Sequence, residues 1–201
     1  MKRERMKVVK KYQFILVAIM CLLCIVGCST QDEKQSMENK NVLIEVENYG
    51  DIEVELYADE APITVANFLS LVEDGFYNGL PFHRIIDGFM IQGGDPLGNG
   101  TGGSSETIKG EFSLNGVNNS IEHVRGVISM ARSESYDSAS SQFFIVQQDS
   151  PHLDGSYAAF GKVTKGMEVV DEICENTKVE DSNGTVLKEN QPVIKQITII
   201  E

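Results

Sequence analysis

The sequence contains no Trp, three His, four Cys and five Pro in 201 residues, and each scarcity excludes something. His83, His123 and His152 stand far apart with no H-x-x-x-H or H-x-H spacing, so a local metal site is not encoded and none is expected. Bases are outnumbered: 17 Lys and Arg against 30 Asp and Glu give a net charge of −13. A chain that acidic, with no basic stripe, repels phosphate backbones, so no nucleic-acid partner is expected. Only one long apolar run occurs, which excludes a membrane protein of several spans. No G-x-S-x-G elbow and no Walker loop is present. What remains, 41% hydrophobic and 23% charged residues with 18 Gly, is ordinary for a turn-rich chain that buries a core.

The charge is uneven. Six of the 17 bases (Lys2, Arg3, Arg5, Lys7, Lys10, Lys11) lie in the first eleven positions, and thirteen apolar residues follow from Phe14 to Val26. A basic start, a short apolar run and small residues after it read as a secretory signal over residues 1–27. A retained membrane helix is the alternative, but spanning takes about 20 apolar residues. Cys21 and Cys24 form a C-x-x-C inside the apolar run and would leave with it. Removal through Gly27 leaves 11 bases against 29 acids, a charge of −18. Residues 28–41 are polar and without periodicity, a flexible tether ahead of a domain over 42–201. Its thirteen residues after Cys28 reach at most about 45 Å when extended.

Within that domain, Val42–Asn48 and Asp51–Tyr57 read as a hairpin, the second strand alternating polar and apolar residues. Pro62 opens a helix whose face is Val65, Phe68, Leu69 and Val72, and Gly75 stops it. Short strands are expected at 82–86, 89–92, 127–131, 142–147 and 158–163, a second helix at 167–176 with Val169, Val170 and Ile173 inward, and a last strand at 191–200. Cys174 is expected to pack as a small apolar residue. Residues 95–119, rich in Gly, Ser and Asn, read as a long functional loop. The periodicities alone are satisfied by a β-barrel or a sandwich covered by helices. The remaining acids read as solvated faces.

One segment breaks the pattern. Phe82-His83-Arg84-Ile85-Ile86-Asp87-Gly88-Phe89-Met90-Ile91-Gln92-Gly93-Gly94-Asp95 sets Arg84 among apolar residues, where it must be paired, face a ligand or snorkel to solvent. This segment resembles the signature of the cyclophilin-type peptidyl-prolyl cis-trans isomerases. The resemblance continues, in family order, through Asn99-Gly100-Thr101-Gly102-Gly103, Gly126-Val127-Ile128-Ser129-Met130-Ala131, Ser141-Gln142-Phe143-Phe144-Ile145, Leu153-Asp154-Gly155 and Phe160-Gly161-Lys162-Val163.

The resemblance implies a mainly β fold, a closed antiparallel eight-stranded barrel capped by two α-helices. It also implies an enzyme without a cofactor that accelerates rotation about Xaa-Pro bonds. Arg84 matches the catalytic arginine and Gln92 the amide that orients it and bonds substrate backbone. Phe89, Met90, Phe144 and Leu153 match the proline pocket. Ala131, Arg132 and Ser133 match the segment alongside the extended peptide, and Gln142 and Gly100 border the neighbouring subsite. Phe143 is expected on the opposite face, in the core. Four departures stand out: His152 where many members carry Trp, Tyr157 for a pocket His, Arg132-Ser133 for Asn-Ala, and Asp87 for a Pro. The second adds an aromatic wall, the third a charge that would favour acidic flanking residues, and the fourth concerns the turn more than the pocket.

Ile25-Val26-Gly27-Cys28 resembles the bacterial lipobox, which implies a lipidated Cys28 and a domain anchored at the extracytoplasmic face of the cell membrane. Its expected partners are proline-containing unfolded or nascent exported proteins, met as a monomer. The contrasting reading is a binding module or holdase that grips proline segments without turnover.

Overall fold

The computed structural model describes residues 38–201; the segment expected to be a signal, Cys28 and most of the expected tether lie outside the described residues. Ten regular elements follow in order: β1 (Lys40–Val46), β2 (Gly50–Leu56), α1 (Pro62–Glu73), β3 (Phe82–Ile86), β4 (Met90–Gly93), β5 (Val127–Met130), β6 (Phe143–Val146), β7 (Ala159–Lys165), α2 (Met167–Asn176) and β8 (Ile194–Ile200). β1 starts two residues ahead of the expected domain edge, because Lys40 and Asn41 already pair with Leu56 and Glu55.

All eight strands join one antiparallel sheet in the order β3-β4-β6-β5-β7-β2-β1-β8. The closed barrel expected from the resemblance is corrected here: the ladder is a curled, open one. Its edge strands β3 and β8 meet just ahead of their first residues, through a single bridge between Pro81 and Val193. Prolines explain the gap. Pro81 stands in that bridge and Pro192 next to it, and neither has an N–H to extend a ladder. Three backbone bonds complete the seam, Phe82 N–H to Pro192 C=O, Ile194 N–H to Leu80 C=O and Gly79 N–H to Ile194 C=O, each 2.8 Å.

α1 begins at Pro62 and ends in a left-handed Gly75 (φ 67°). The Gly75 N–H reaches Val72 C=O and the Phe76 N–H reaches Leu71 C=O, the paired bonds that close a helix C-terminus. Its start is capped from far along the chain. The buried Glu111 carboxylate accepts from Ile63 N–H (3.1 Å), Thr64 N–H (2.7 Å) and Thr64 Oγ (2.7 Å). Those N–H groups have no partner within the helix, and a negative charge there also suits the helix dipole. Glu111 is therefore not the solvated acid expected of it.

The core lies between the sheet and the helices, around Phe68, Tyr77, Phe82, Phe143 and Phe160, whose nearest ring centroids are 5.0–6.2 Å apart. Phe143 sits there fully buried, as alternation along β6 requires. On α2, Val169, Val170, Ile173 and Cys174 face inward, and burial pushes the Cys174 thiol up to about 12, which leaves it unreactive. Phe144 points the other way, into a second apolar cluster with Met90, Val127, Val146, Leu153 and Ala159.

Candidate active site

The second cluster and one hydrogen-bonded chain beside it build the site. Arg84 on β3 lies opposite Gln92 on β4 in the strand register. Its Nε donates to Asn183 C=O (2.8 Å) and its Nη1 to Gln92 Oε1 (3.2 Å), with the Met90 sulfur 4.0 Å from Nη1. Gln92 Nε2 then donates to Gln142 Oε1 (2.9 Å), and Gln142 Nε2 donates to Gly102 C=O (2.7 Å) and Gly100 C=O (3.1 Å). Each amide can only take one orientation, because the guanidinium at one end can only donate and the carbonyls at the other can only accept. Among the described residues nothing hydrogen-bonds to Arg84 Nη2. Partial burial draws the Arg84 guanidinium below its ordinary value, against the nearby Tyr157 and Asp181, but it stays charged.

The Asn183 carbonyl that holds Arg84 is set by a turn. Asp181 accepts from Asn183 N–H (2.9 Å), Thr185 N–H (3.1 Å) and Thr185 Oγ (3.0 Å), and Gly184 is left-handed (φ 78°). A Cβ on Gly184 would collide with Ile85 C=O, so only glycine lets this turn press against the arginine's own strand.

Beside Arg84 the apolar hollow is assembled from Met90, Phe144 and Leu153, all buried, with Phe89 and Tyr157 half-buried at its edge. Phe144 and Tyr157 meet edge to face at 5.8 Å. His152, where many members carry Trp, lies exposed on a short helical turn with its ring 5.4 Å from Phe89, so the hollow keeps an aromatic rim. Ala131, Arg132 and Ser133 run along the far side. Among the described residues no hydrogen bond engages the Arg132 N–H or C=O. The Arg132 side chain is held against aromatic rings. Its guanidinium lies 4.8–5.1 Å from the ring centroids of Tyr157, Tyr136 and Phe112 and donates twice to Ser156 C=O, at 2.9 and 3.0 Å. It braces Tyr157 and at the same time lines the cavity beside Ala131 and Ser133, so its charge stays at the groove. Asp87 behaves as expected: its Oδ1 accepts from Gln147 Nε2 (3.2 Å), while Gln147 Oε1 accepts from Gly88 N–H (2.6 Å), so it fixes the turn.

Two cavities flank these groups. One, of about 360 Å³, is lined by Gln92, Ala131, Arg132, Ser133, Gln142 and residues 100–104, among others; the other, of about 480 Å³, opens beside Arg84 and His83. Gln92 and Gly100 border both. Among the described residues no group of three or more His, Cys, Asp and Glu is placed to hold a metal.

Sequence reasoning missed three supports. Asp95 is fully buried and gathers the Gly-rich loop. Its Oδ1 accepts from Leu97 N–H (2.8 Å), and its Oδ2 from Asn99 N–H (3.0 Å) and Gly100 N–H (2.6 Å). An Asp directly ahead of a glycine-rich stretch was the available signal. His123, also buried, bonds Asp154 (2.9 Å) and Ser129 (3.1 Å) and stacks 6.1 Å from Phe144. Asp181 had no signal beyond D-x-x-G.

The histidines give a pH prediction. Burial lowers both His83 and His123, outweighing the carboxylates beside them, Asp95 and Asp154 respectively. The unfolded chain takes up those protons near pH 6.5, the folded chain only below it. The unfolded state thus binds more protons in that window, and stability is complete above about pH 6.5 and lost as pH falls. Both ring nitrogens of His83 are buried without a hydrogen-bond partner. Urea midpoints measured from pH 7.5 to 5 are expected to decline in the wild-type domain and to decline less in His83→Gln.

Residues 41–201 match the family model described as cyclophilin type peptidyl-prolyl cis-trans isomerase/CLD. Peptidyl-prolyl cis-trans isomerase B of Bacillus subtilis is 47% identical over 144 residues, 72% of this chain and 92% of that protein. A peptidyl-prolyl cis-trans isomerase of Helicobacter pylori is 47% identical over 135 residues, 66% and 80% of the two chains. Among solved structures, a cyclophilin type peptidyl-prolyl cis-trans isomerase of Cryptosporidium parvum superposes with a TM-score of 0.71 at 34% identity, covering 82% of this chain and 99% of its own. The same enzyme, crystallised in the presence of the dipeptide Ala-Pro, gives 0.70 at 36% identity over 80% and 99%. The curled antiparallel sheet with its two helices is thus a cyclophilin-like isomerase fold. The chain belongs to the cyclophilin-type peptidyl-prolyl cis-trans isomerases.

Proposed function

We propose that Arg84 is the catalytic residue, acting on a prolyl bond whose ring rests in the hollow of Phe89, Met90, Phe144 and Leu153. A peptide bond resists rotation by about 18–20 kcal/mol because the nitrogen lone pair is shared with the carbonyl. In the twisted state that pair returns to a pyramidal nitrogen. A guanidinium aimed at it stabilises the twisted state more than the planar one, with no nucleophile, metal or cofactor. The observation that carries this reading is that Arg84 is held through Nε and Nη1 while Nη2 is uncommitted by the described residues. Gln92 orients it, and the unpaired Arg132 backbone offers the peptide an edge to pair with. His152 and Tyr157 close the aromatic rim. The test follows cis-to-trans exchange of a short Xaa-Pro peptide by NMR with the domain from residue 38 onward. Exchange accelerated at substoichiometric enzyme supports turnover; peptide binding without acceleration means a binding module.

In the cell, the reading extends to an enzyme anchored through a lipidated Cys28 at the extracytoplasmic face of the membrane. There a monomeric domain would assist exported proteins whose prolyl bonds limit folding after translocation. The basic start and apolar run of residues 1–27 and the Ile25-Val26-Gly27-Cys28 motif support it. Lipid chains contribute about 0.8 kcal/mol per buried CH₂, so two or more hold firmly. Cells fed labelled palmitate are expected to label the wild-type chain in the membrane fraction and not Cys28→Ser. Equal labelling of both would place the anchor elsewhere or remove it.

A further inference from the structure

The cavity of about 480 Å³ has no part in the reading above. Arg84, Gln92 and Gly100 form its border with the site, buried His83 is on its floor, and Leu97 and Leu187 stand on opposite rims. The rims are tied together. Gln191 Nε2 donates to Gly98 C=O (2.8 Å) on one and to Val186 C=O (2.9 Å) on the other, so the cavity is formed before any ligand arrives. Leu97 is 66% exposed and Leu187 40%, two of the seven large apolar side chains left in water among the described residues. Isolated apolar side chains on a surface need no explanation, but two facing each other across a formed cavity next to a reactive group do.

The chemistry of the lining selects the occupant. Leu97, Val186 and Leu187 give the cavity apolar walls, beside His83, whose affinity for a proton burial lowers, and the polar side chains of Asn99, Thr185 and Gln191. Two cations line it, Arg84, held through Asn183 and Gln92, and Lys188. No acid lines the cavity. A large apolar side chain would cover Leu97, Val186 and Leu187, which otherwise face water or the open cavity, and a cationic one would meet Arg84 and Lys188. The cavity shares Arg84 and Gln92 with the site, and in an extended peptide side chains two residues apart lie on one face about 7 Å from each other. The peptide itself is therefore the chain best placed to deliver that side chain.

We propose that this cavity is a specificity subsite that takes a large apolar side chain, of Leu or Phe type, from the substrate peptide. The residue lies within two positions of the proline, on the flank leading away from Ala131–Ser133. The proposal rests on the isomerase reading. Its test uses proline peptides that carry Leu or Ala at each of the two positions on each side, with kcat/KM taken from NMR exchange. Wild type is expected to prefer Leu by about tenfold at one position on one flank. Leu97→Ser combined with Leu187→Ser reduces that preference below about twofold while leaving the all-Ala peptide's rate unchanged, which also shows that the variant is folded. A preference absent from wild type, or one that the double variant keeps, overturns the subsite. Absence of turnover with every peptide overturns the isomerase reading instead, and the two failures are told apart by the all-Ala rate.

Discussion

Arg84→Ala is expected to lower kcat/KM for a Xaa-Pro peptide by about 100- to 1000-fold, the loss typical of removing one donor aimed at developing charge. Peptide affinity is expected to change by less than about threefold, because a planar amide gains little from the guanidinium. The fold should survive. The Asn183 carbonyl that loses its partner is itself exposed to water, and the strand register around β3 is carried by backbone bonds. Arg84→Lys restores little: one ammonium on a flexible stem cannot satisfy Asn183 C=O and Gln92 Oε1 at once and still present a donor to the nitrogen. Measured side by side by NMR exchange and by peptide titration, a slow Lys variant with near-normal binding separates geometry from charge. An Ala variant as fast as wild type removes the mechanism altogether, and an Ala variant that still protects an unfolded client from aggregation would then favour the holdase reading.

How far the sequence reached depends on whether neighbours along the chain or across the fold made the choice. The Asp51–Tyr57 alternation located β2 to within a residue, and Pro62 and Gly75 marked α1, because each reports a local backbone preference. Phe143 and Phe144 were assigned to opposite faces by the period of two alone, and they are. Barrel closure was not legible in this way. It depends on whether β3 and β8 keep bonding past their starts, and the two prolines that prevent it lie 111 positions apart. The arginine's surroundings failed differently. Arg84 announced itself as a charge in an apolar run, but the Asn183 carbonyl that aims it comes from 99 residues further on, and nothing local marks a carbonyl. That Arg132 would also be gathered against Phe112, Tyr136 and Tyr157 was not legible, because these three aromatic neighbours are scattered in sequence. Glu111 and Asp95 were hidden among 30 acids, most of them at the surface, since composition cannot tell a solvated carboxylate from one wrapped in N–H groups.

Asp95 carries the second large effect. Burial alone would push its carboxyl up, yet the N–H groups of Leu97, Asn99, Gly102 and Gly100 together hold it below the ordinary range. Removing it leaves at least three backbone donors at 2.6–3.0 Å without their acceptor. Hydrogen bonds to a charged group contribute about 1.5–3 kcal/mol each, and part of the loss is recovered by water entering the loop, so Asp95→Ala is expected to destabilise the domain by about 3–5 kcal/mol. Asp95→Asn is expected to recover less than half of that, since its NH₂ faces the N–H groups of Asn99 and Gly100, or of Leu97 if the amide is reversed. The pH dependence supplies the check. A carboxyl whose folded value is depressed stabilises fully above its unfolded value near 4 and loses that contribution as pH falls through the folded one. The gap in urea midpoint between wild type and Asp95→Ala is therefore expected to be constant from pH 7 to 5 and to narrow once the pH falls below about 4, by no more than about 1.4 kcal/mol per pH unit. A gap that does not narrow at all between pH 4 and pH 3, or an Asn variant as stable as wild type, would mean that side-chain volume rather than the carboxylate holds the loop. Activity should follow the same residue. Gly100 C=O anchors Gln142, which orients Gln92 and through it Arg84, so a loosened loop lowers kcat before KM in any Asp95 variant stable enough to assay.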